Sequence, residues 1–301
     1  NFMWTGLLHK IQQGDIKSLA RSISLVENEV AGYEKFLQSL PASRTRVIGI
    51  TGPPGAGKST TTDALINEVI KEGKKVAVLC VDPSSPFNLG AVLGDRIRMS
   101  RWYTNDRVFI RSLATRGSMG GLNPKIIEIT DILKSSDFDL IIVETVGVGQ
   151  SEIEIAGLAD ITVVVLVPEA GDEIQNMEAG PMGIADVFSV KKNDPPGADL
   201  FVRNLRLMLA PAFSKNERRI PIVSTVANKE TGIDELYQEI KQILNTDTHK
   251  ERRSWLLAEK AFHLIEKERM KNAKKEQLKS EIEKELQSPD FNLYQYVYKR
   301  M

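Results

Sequence analysis

The sequence TGPPGAGKST, residues 51–60, decides how the rest of the chain is interpreted. It follows the apolar run RVIGI, which is typical of a buried strand, and it precedes STTTDALINEVIKEG, which has the spacing of a helix. The stretch matches the pattern G-x-x-x-x-G-K-S through Gly52, Gly57, Lys58 and Ser59. In this strand–loop–helix context the match predicts a P-loop, which binds the phosphates of a nucleoside triphosphate.

The residue types of this loop explain why it suits phosphate. Glycine permits a curled backbone whose successive N–H groups point at phosphate oxygens, and the helix N-terminus adds partial positive charge. We expect Lys58 to reach the β- and γ-phosphates and the Ser59 hydroxyl to bind Mg²⁺. The predicted phosphate-binding residues are Gly52, Pro53, Pro54, Gly55, Ala56, Gly57, Lys58, Ser59 and Thr60.

The composition argues against several other classes of protein. The 301 residues include 40 basic and 40 acidic side chains, a balance that favours neither a nucleic-acid nor a membrane partner. Cys80 is the single cysteine, which excludes an intrachain disulfide framework and indicates a reducing compartment. No apolar run is long enough for a membrane helix, and no signal peptide is visible. We expect a cytoplasmic protein in a bacterium, or a mitochondrial-matrix protein in a eukaryote.

The chain divides into three zones by pattern. Residues 1–44 have the spacing of short amphipathic helices, and residues 45–245 alternate strand and helix signals. Most strand candidates are continuous apolar runs, as in parallel strands covered on both faces, so we predict an α/β fold: a P-loop NTPase with a doubly wound, mostly parallel sheet. The strand candidates are RVIGI, KVAVLCV, RVFIRS, DLIIVET, ITVVVLV, DVFSV and IPIVST.

The third zone, residues 246–301, is rich in Lys, Glu and Leu. Trp255, Ala258, Phe262 and Ile265 fall on one stripe of the predicted helix. Two interpretations remain open at this point: a helix that packs on its own domain, or a C-terminal helical arm that pairs with a second subunit.

Carboxylates just after strand ends are the candidates for holding Mg²⁺, which takes few protein oxygens. Asp82 follows one strand and Glu144 another, and Asp95 lies in a loop-like stretch where a switch segment is plausible. A helix cap or a surface charge is the alternative for each acid. Gly147, three residues after Glu144, can present its N–H to the γ-phosphate, a contact that hydrolysis would remove.

The base specificity is less sharply defined. Guanine recognition commonly uses Asn-Lys-x-Asp after a late strand, and here DVFSV leads to Lys-Lys-Asn-Asp, residues 191–194. Lys192 and Asp194 fit that motif, since a lysine stem can cover the base and a carboxylate can accept from its N1 and N2 protons. Lys191 stands where asparagine normally ties the base loop to the P-loop, so we expect weaker or looser guanine binding.

Several segments together resemble one family, the MeaB/MMAA (ArgK-like) GTPase chaperones of adenosylcobalamin-dependent methylmalonyl-CoA mutase. The segments, spread over roughly residues 10–245, are TGPPGAGKST, VDPSSPF, GDRIRM, FIRSLATRG, VETVGVGQSE and GDEIQ. The resemblance implies a P-loop GTPase that is usually dimeric, hydrolyses GTP slowly, gates cofactor loading and protects the mutase from inactivation. The C-terminal zone would then be a dimerisation arm.

The resemblance also implies roles for single residues. Lys58, Glu144 and Gly147 would be catalytic, and Asp82 and Asp95 would belong to the Mg²⁺ and first switch region. Residues 169–180 match a third switch that faces the partner. The metal ligands would be Ser59, Asp82, Asp95 and Glu144, and the guanine-binding residues would be Lys192, Asp194, Val226, Ala227 and Asn228.

Departures from the family pattern concern base binding and switching. Besides Lys191, the chain has Glu178 and Ala179 where relatives usually have basic residues near the end of the third switch. The stretch STVAN, residues 224–228, matches the guanine-contacting Ser-Ala element only loosely. The phosphate loop itself is unchanged.

Three other functions remain as alternatives. A P-loop kinase or ATPase of the ArgK type would need an acceptor site beside the γ-phosphate, and a nucleotide-binding module with weakened guanine specificity would lack turnover. A metal-delivery GTPase usually needs Cys and His clusters, whereas this chain has one Cys and three His. Charge stabilisation is conceivable from several arginines, although packed or solvated arginine is the favoured interpretation: Arg96, Arg98, Arg111 and Arg116.

Overall fold

The computed structural model describes residues 2–82, 99–115, 122–145, 151–168, 181–192, 197–215, 220–226, 231–245, 250–271, 275–287 and 291–298. Within these ranges, all seven predicted strands are present and form one parallel sheet in the order β3-β2-β4-β1-β5-β6-β7. The strands are β1 (Arg46–Thr51), β2 (Val76–Asp82), β3 (Val108–Ala114), β4 (Leu140–Glu144), β5 (Ile161–Leu166), β6 (Val187–Lys191) and β7 (Ile222–Thr225). The prediction of a parallel α/β fold is confirmed.

Helices connect the strands and flank the sheet. They are α1 (Phe2–Gln12), α2 (Ile16–Glu27), α3 (Tyr33–Gln38), α4 (Lys58–Lys71), α5 (Ile126–Lys134), α6 (Ser151–Leu158), α7 (Pro181–Ile184), α8 (Gly197–Lys215), α9 (Ile233–Leu244), α10 (Lys250–Arg269), α11 (Lys275–Glu285) and α12 (Leu293–Tyr298). A short 3-10 turn spans Ser100–Trp102.

Strand β1 shows how both faces of the sheet are covered. Its side chains alternate, and Ile48 and Ile50 belong to one core cluster together with residues of α4 and α9. On the opposite face Gly49 lies so close to α6 that a Cβ there would sit 2.6 Å from Ile155 Cγ1. Because helices cover both faces, the strand is apolar from Val47 to Ile50, as the sequence indicated.

The N-terminal helices pack against the sheet domain rather than extending from it. Leu19, Ile23 and Val26 of α2 are buried, and α2 lies against α5. Asp15 caps α2 by accepting from the backbone N–H of Ser18. The amphipathic pattern of this zone therefore has a definite packing partner.

Contacts divide the chain into two units, residues 1–253 and 254–301. In the second unit the hydroxyl of Tyr296 donates to Glu281 Oε2 at 2.8 Å, and the Tyr296 ring lies 6.3 Å from that of Phe291. The three-part functional division into residues 1–44, 45–245 and 246–301 stays a prediction.

Candidate functional site

The loop between β1 and α4 is tightly curled. Gly52 has a φ of 138°, and a Cβ at this residue would lie 2.1 Å from the carbonyl oxygen of Val165. Gly57 has a φ of 93° and directly precedes Lys58, the first residue of α4. Only glycine accepts both the backbone angle and the close approach at Gly52, so these two positions fix the shape of the loop.

Lys58 reaches across the same loop. Its ammonium donates to the carbonyl oxygens of Gly52 at 2.8 Å and Pro53 at 3.0 Å, and the residue is only 8% exposed. The loop therefore keeps a nearly buried cation against its first residues, beside the N-terminus of a 14-residue helix. Both features stabilise an anionic ligand such as a phosphate group.

Glu144 lies beside the loop because β4 is the neighbour of β1 in the sheet. The hydroxyl of Ser59 donates to Glu144 Oε1 at 2.5 Å, and that of Thr62 lies 2.8 Å from Oε2. Glu144 is 6% exposed and Thr62 is fully buried. Two hydroxyls on consecutive turns of α4 thus fix both oxygens of this carboxylate.

The donor set beside the loop fits Mg²⁺. A serine hydroxyl and a carboxylate are adjacent oxygen donors, the type that this hard cation prefers, and Mg²⁺ takes its remaining ligands from water and phosphate. Of the four predicted metal ligands, the structure brings Ser59 and Glu144 together. Asp82 ends β2, but its side chain is not among the described atoms, and Asp95 lies outside the described residues.

Thr62 is a site residue that the sequence interpretation missed. It lies three residues after Ser59, so both hydroxyls occupy the same side of α4. That spacing could have indicated that Thr62 faces the same side as Ser59, but it does not predict which strand lies beside the helix. The hydroxyl of Thr62 also lies 3.0 Å from the carbonyl oxygen of Lys58.

The predicted base-binding residues follow the ends of β6 and β7. The backbone N–H of Lys192 donates to Thr225 O at 2.8 Å, and the Lys192 ammonium pairs with Asp199 at 3.3 Å. Val226 pairs with Thr231 in a short bridge. Both predicted base-binding positions that the structure describes therefore lie at the same sheet edge as the loop, since all strands are parallel.

Residues that follow the predicted first switch are anchored on α4. Arg101 donates from Nε and a terminal nitrogen to Asp63 at 3.0 and 2.6 Å, and Trp102 Nε1 donates to the same carboxylate at 2.6 Å. Met99 is fully buried. The chain after the predicted first switch is thus fixed to the helix that begins with Lys58.

Several predicted residues cannot be placed. Gly147, Asp194, Ala227, Asn228 and the third switch, residues 169–180 with Glu178 and Ala179, lie outside the described residues. Of the arginines considered for charge stabilisation, Arg111 pairs instead with Glu27 of α2 at 2.7 Å. This is the packed arginine that the sequence interpretation favoured.

Two other kinds of feature are absent from the described residues. None of their helices is both long and apolar enough to cross a membrane. Nor do these residues contain a group of three or more His, Cys, Asp or Glu side chains arranged to hold a metal ion.

Comparison with known proteins agrees with this geometry. The family profile described as "Methylmalonyl Co-A mutase-associated GTPase MeaB" matches residues 19–281. A protein of Pyrococcus horikoshii that is named as a GTPase is 44% identical over 87% of this chain and 83% of its own length. A fused isobutyryl-CoA mutase of Geobacillus kaustophilus is 32% identical over 80% of this chain, but only 24% of the mutase is covered.

Among solved structures, a crystal structure of "LAO/AO transport system kinase" is similar with a TM-score of 0.67. It is 26% identical in sequence, and the match covers 90% of this chain and 86% of that one. The match to the family profile extends over most of the chain, and the P-loop fold agrees with it. The chain is a P-loop GTPase and belongs to the family of methylmalonyl-CoA mutase-associated GTPases, the MeaB family.

Proposed function

We propose that this chain binds GTP together with Mg²⁺, hydrolyses it slowly to GDP and phosphate, and uses the cycle to assist an adenosylcobalamin-dependent mutase. One observation carries the first part of the proposal. The Lys58 ammonium and the Ser59–Glu144 pair lie at one tightly curled loop at the carboxyl edge of the sheet. This is the arrangement that phosphoryl transfer needs, since its catalysis is mainly positioning and charge stabilisation.

Each residue has a separate task in this proposal. Lys58 binds the β- and γ-phosphates and stabilises the negative charge that develops on them. Ser59 and Glu144 hold Mg²⁺, and Thr62 keeps the Glu144 carboxylate oriented. The metal ion neutralises charge on the phosphate oxygens when it is bound. Gly147 is proposed to contact the γ-phosphate, and Asp82 and Asp95 to complete the switch and metal region.

Single-turnover hydrolysis tests the enzymatic part of the proposal. The wild-type chain should bind GTP and convert it slowly to GDP, whereas Lys58→Ala should reduce both nucleotide affinity and turnover by at least about tenfold. ATP measured in parallel tests the base preference that Lys192, Asp194, Val226, Ala227 and Asn228 are proposed to supply. Equal binding by Lys58→Ala and the wild type would refute the assignment of the loop, and fast hydrolysis without a partner would refute the slow cycle.

The mutase is the proposed partner, with gating of adenosylcobalamin loading and protection from inactivation as the proposed task. The family description names methylmalonyl-CoA mutase, and in the Geobacillus relative the region similar to this chain forms about a quarter of a fused isobutyryl-CoA mutase. Purified methylmalonyl-CoA mutase and isobutyryl-CoA mutase should be compared for complex formation and for acceleration of GTP hydrolysis. If neither mutase binds or accelerates, the partner assignment fails while the GTPase assignment stands.

A kinase function is the second candidate because a protein of similar solved structure is named as a transport system kinase. Hydrolysis and kinase activity differ in where the γ-phosphate goes. Incubation with γ-labelled GTP and ATP should release free phosphate if the chain is a hydrolase. Label on a protein or small-molecule acceptor would favour the kinase.

Two further properties belong to the proposal. We infer a homodimer through the C-terminal helices, which expose large apolar side chains that include Trp255 and Phe262. We also infer a cytoplasmic location in bacteria or archaea, where the matched relatives occur.

A further inference from the structure

Lys191, the residue that departs from the guanine motif, lies against the phosphate loop. It ends β6, and a Cβ built on Gly57 would be 3.6 Å from Lys191 Cδ, 3.9 Å from Cε and 3.8 Å from Nζ. The Cδ, Cε and Nζ atoms of the lysine side chain therefore lie beside Gly57. In the guanine motif an asparagine at this position ties the base loop to the P-loop, and here the lysine stem occupies that position.

The charge of Lys191 is not balanced within the described part of the chain. Its ammonium has no hydrogen bond or ion pair to those residues, while the adjacent Lys192 pairs with Asp199. Lys191 is only partly exposed, so water screens its charge less than that of a surface lysine. Lys58 brings a second ammonium to the same loop, where it contacts Gly52 and Pro53.

Two lysines thus approach the loop from different elements. Lys58 comes from α4 and lies over the beginning of the loop, and Lys191 comes from β6 and lies over its last residue, Gly57. Like charges brought to one loop repel each other, and an anion bound at that loop lowers the repulsion. A ligand with at least two phosphate groups can satisfy both.

We propose that Lys191 is a second phosphate-binding lysine, whose ammonium contacts the nucleotide diphosphate at the Gly57 side of the loop. This inference rests on the proposed nucleotide site and deepens it. Contacts with the phosphates then supply a larger share of the binding free energy. Contacts with the base supply a smaller share, because the asparagine of the motif is missing. The chain should therefore depend more on the diphosphate of its ligand than the guanine motif alone suggests.

Calorimetric titration of Lys191→Met and Lys191→Arg with GDP, and with guanosine by competition, tests the inference. Met keeps most of the apolar stem and lacks the ammonium group, whereas Arg keeps the charge. We expect Lys191→Met to lose about ten- to a hundredfold in GDP affinity, the effect of a charge-assisted hydrogen bond, with guanosine affinity unchanged. Lys191→Arg should bind GDP within a few-fold of the wild type.

The matched control is Lys71→Met, which removes the same charge from the far end of α4, where Lys71 pairs with Glu68. It should leave GDP affinity unchanged. An unchanged GDP affinity in Lys191→Met would overturn the inference, as would an equal loss of GDP and guanosine, because a role in base binding or loop shape predicts that pattern. Failure of the wild type to bind GDP would instead overturn the proposed nucleotide site.

Discussion

At the scale of single residues, Thr62 gives a sharp test of how the proposed Mg²⁺ ligand Glu144 is held in place. Thr62→Val removes the hydroxyl near Glu144 Oε2 while keeping the shape of the side chain. Residues that orient a metal-binding carboxylate typically contribute ten- to a hundredfold, so the Mg²⁺ concentration needed for half-maximal GTP hydrolysis should rise about tenfold. Titration of Mg²⁺ at saturating GTP measures it.

Two further variants distinguish this positioning role from general destabilisation. Thr62→Ser restores the hydroxyl and should restore the Mg²⁺ requirement. Thr130→Val removes an equally buried hydroxyl from α5, where it donates to Ile126 O at 2.7 Å, and should leave that requirement unchanged. If Thr62→Val lowers only the melting temperature, the hydroxyl merely supports the fold.

Gly52 is the residue whose replacement should damage the loop most. In Gly52→Ala the new methyl group would meet the backbone oxygen of Val165 at 2.1 Å, and backbone cannot rotate away as a side chain can. We expect a loss of about 3 kcal/mol in unfolding free energy together with loss of nucleotide binding. Chemical denaturation and calorimetric titration would measure the two effects.

Gly55→Ala is the matched control for this change. Gly55 also has a positive φ, 78°, but nothing lies within 4 Å of a Cβ built there. Its cost should be about 1 kcal/mol from backbone strain alone. Equal losses in the two variants would show that the close approach to Val165 does not determine the loop.

The sequence predicted the residues of the phosphate loop because a loop of this kind is local. Gly52, Gly57, Lys58 and Ser59 are neighbours in sequence, so their spacing alone identified them. The link between Thr62 and Glu144 spans 82 residues and arises only because β4 lies beside β1. The position of Lys191 beside Gly57 depends in the same way on lateral order in the sheet.

At the scale of elements, the end of α4 is joined to α9 by a carboxylate. Glu72 accepts from the ammonium groups of Lys241 and Lys74 and, at 3.1 Å, from the hydroxyl of Tyr237. The hydrogen bond from Lys241, followed by that from Lys74, lowers the pKa of Glu72 from 4.5 to about 2. Burial, followed by the hydrogen bond to Glu72, raises the pKa of Tyr237 above its usual range.

The lowered pKa predicts an acid-dependent contribution to stability. Because the folded-state pKa lies below the unfolded value, the contribution is fully present above about pH 4.5 and is lost as the pH falls towards 2. Glu72 is about one third exposed, so solvent screening reduces its size to about 1 kcal/mol. Glu72→Gln should be less stable than the wild type by that amount at pH 7, and the difference should shrink below pH 4.

Denaturant unfolding at several pH values would measure this difference. Glu68→Gln serves as the control, because Glu68 pairs with the exposed Lys71 within the same helix and does not join two elements. It should change stability by no more than about 0.5 kcal/mol. A pH-independent difference between Glu72→Gln and the wild type would contradict the linkage.

The elements were more predictable than their order. Parallel strands buried on both faces are continuous apolar runs, so each strand candidate was visible in the sequence alone. The sequence held no comparable signal that β4 would separate β1 from β2, since this depends on which crossovers pack best. The hydrogen bond from Trp102 to Asp63 could not be predicted for the same reason, because the two residues are 39 positions apart.

At the scale of the whole molecule, residues 1–253 and 254–301 differ in what they bury. The first unit contains the sheet core, whereas large apolar side chains of the second unit are exposed. The sequence interpretation left open whether these helices pack on their own domain or form an arm. The arm stays our proposal, because exposed apolar surface of this kind typically marks an interaction site.

The proposed dimer can be tested on that stripe. Trp255, Phe262 and Ile265 are 61%, 63% and 53% exposed and lie on one side of α10. Phe262→Gln with Ile265→Gln should shift the chain from dimer to monomer, because burial of these side chains would drive association. Light scattering over a concentration series measures the mass. Lys267→Gln, on the other side of α10, should leave the mass unchanged, and a wild-type monomer at every concentration would rule out self-association through this arm.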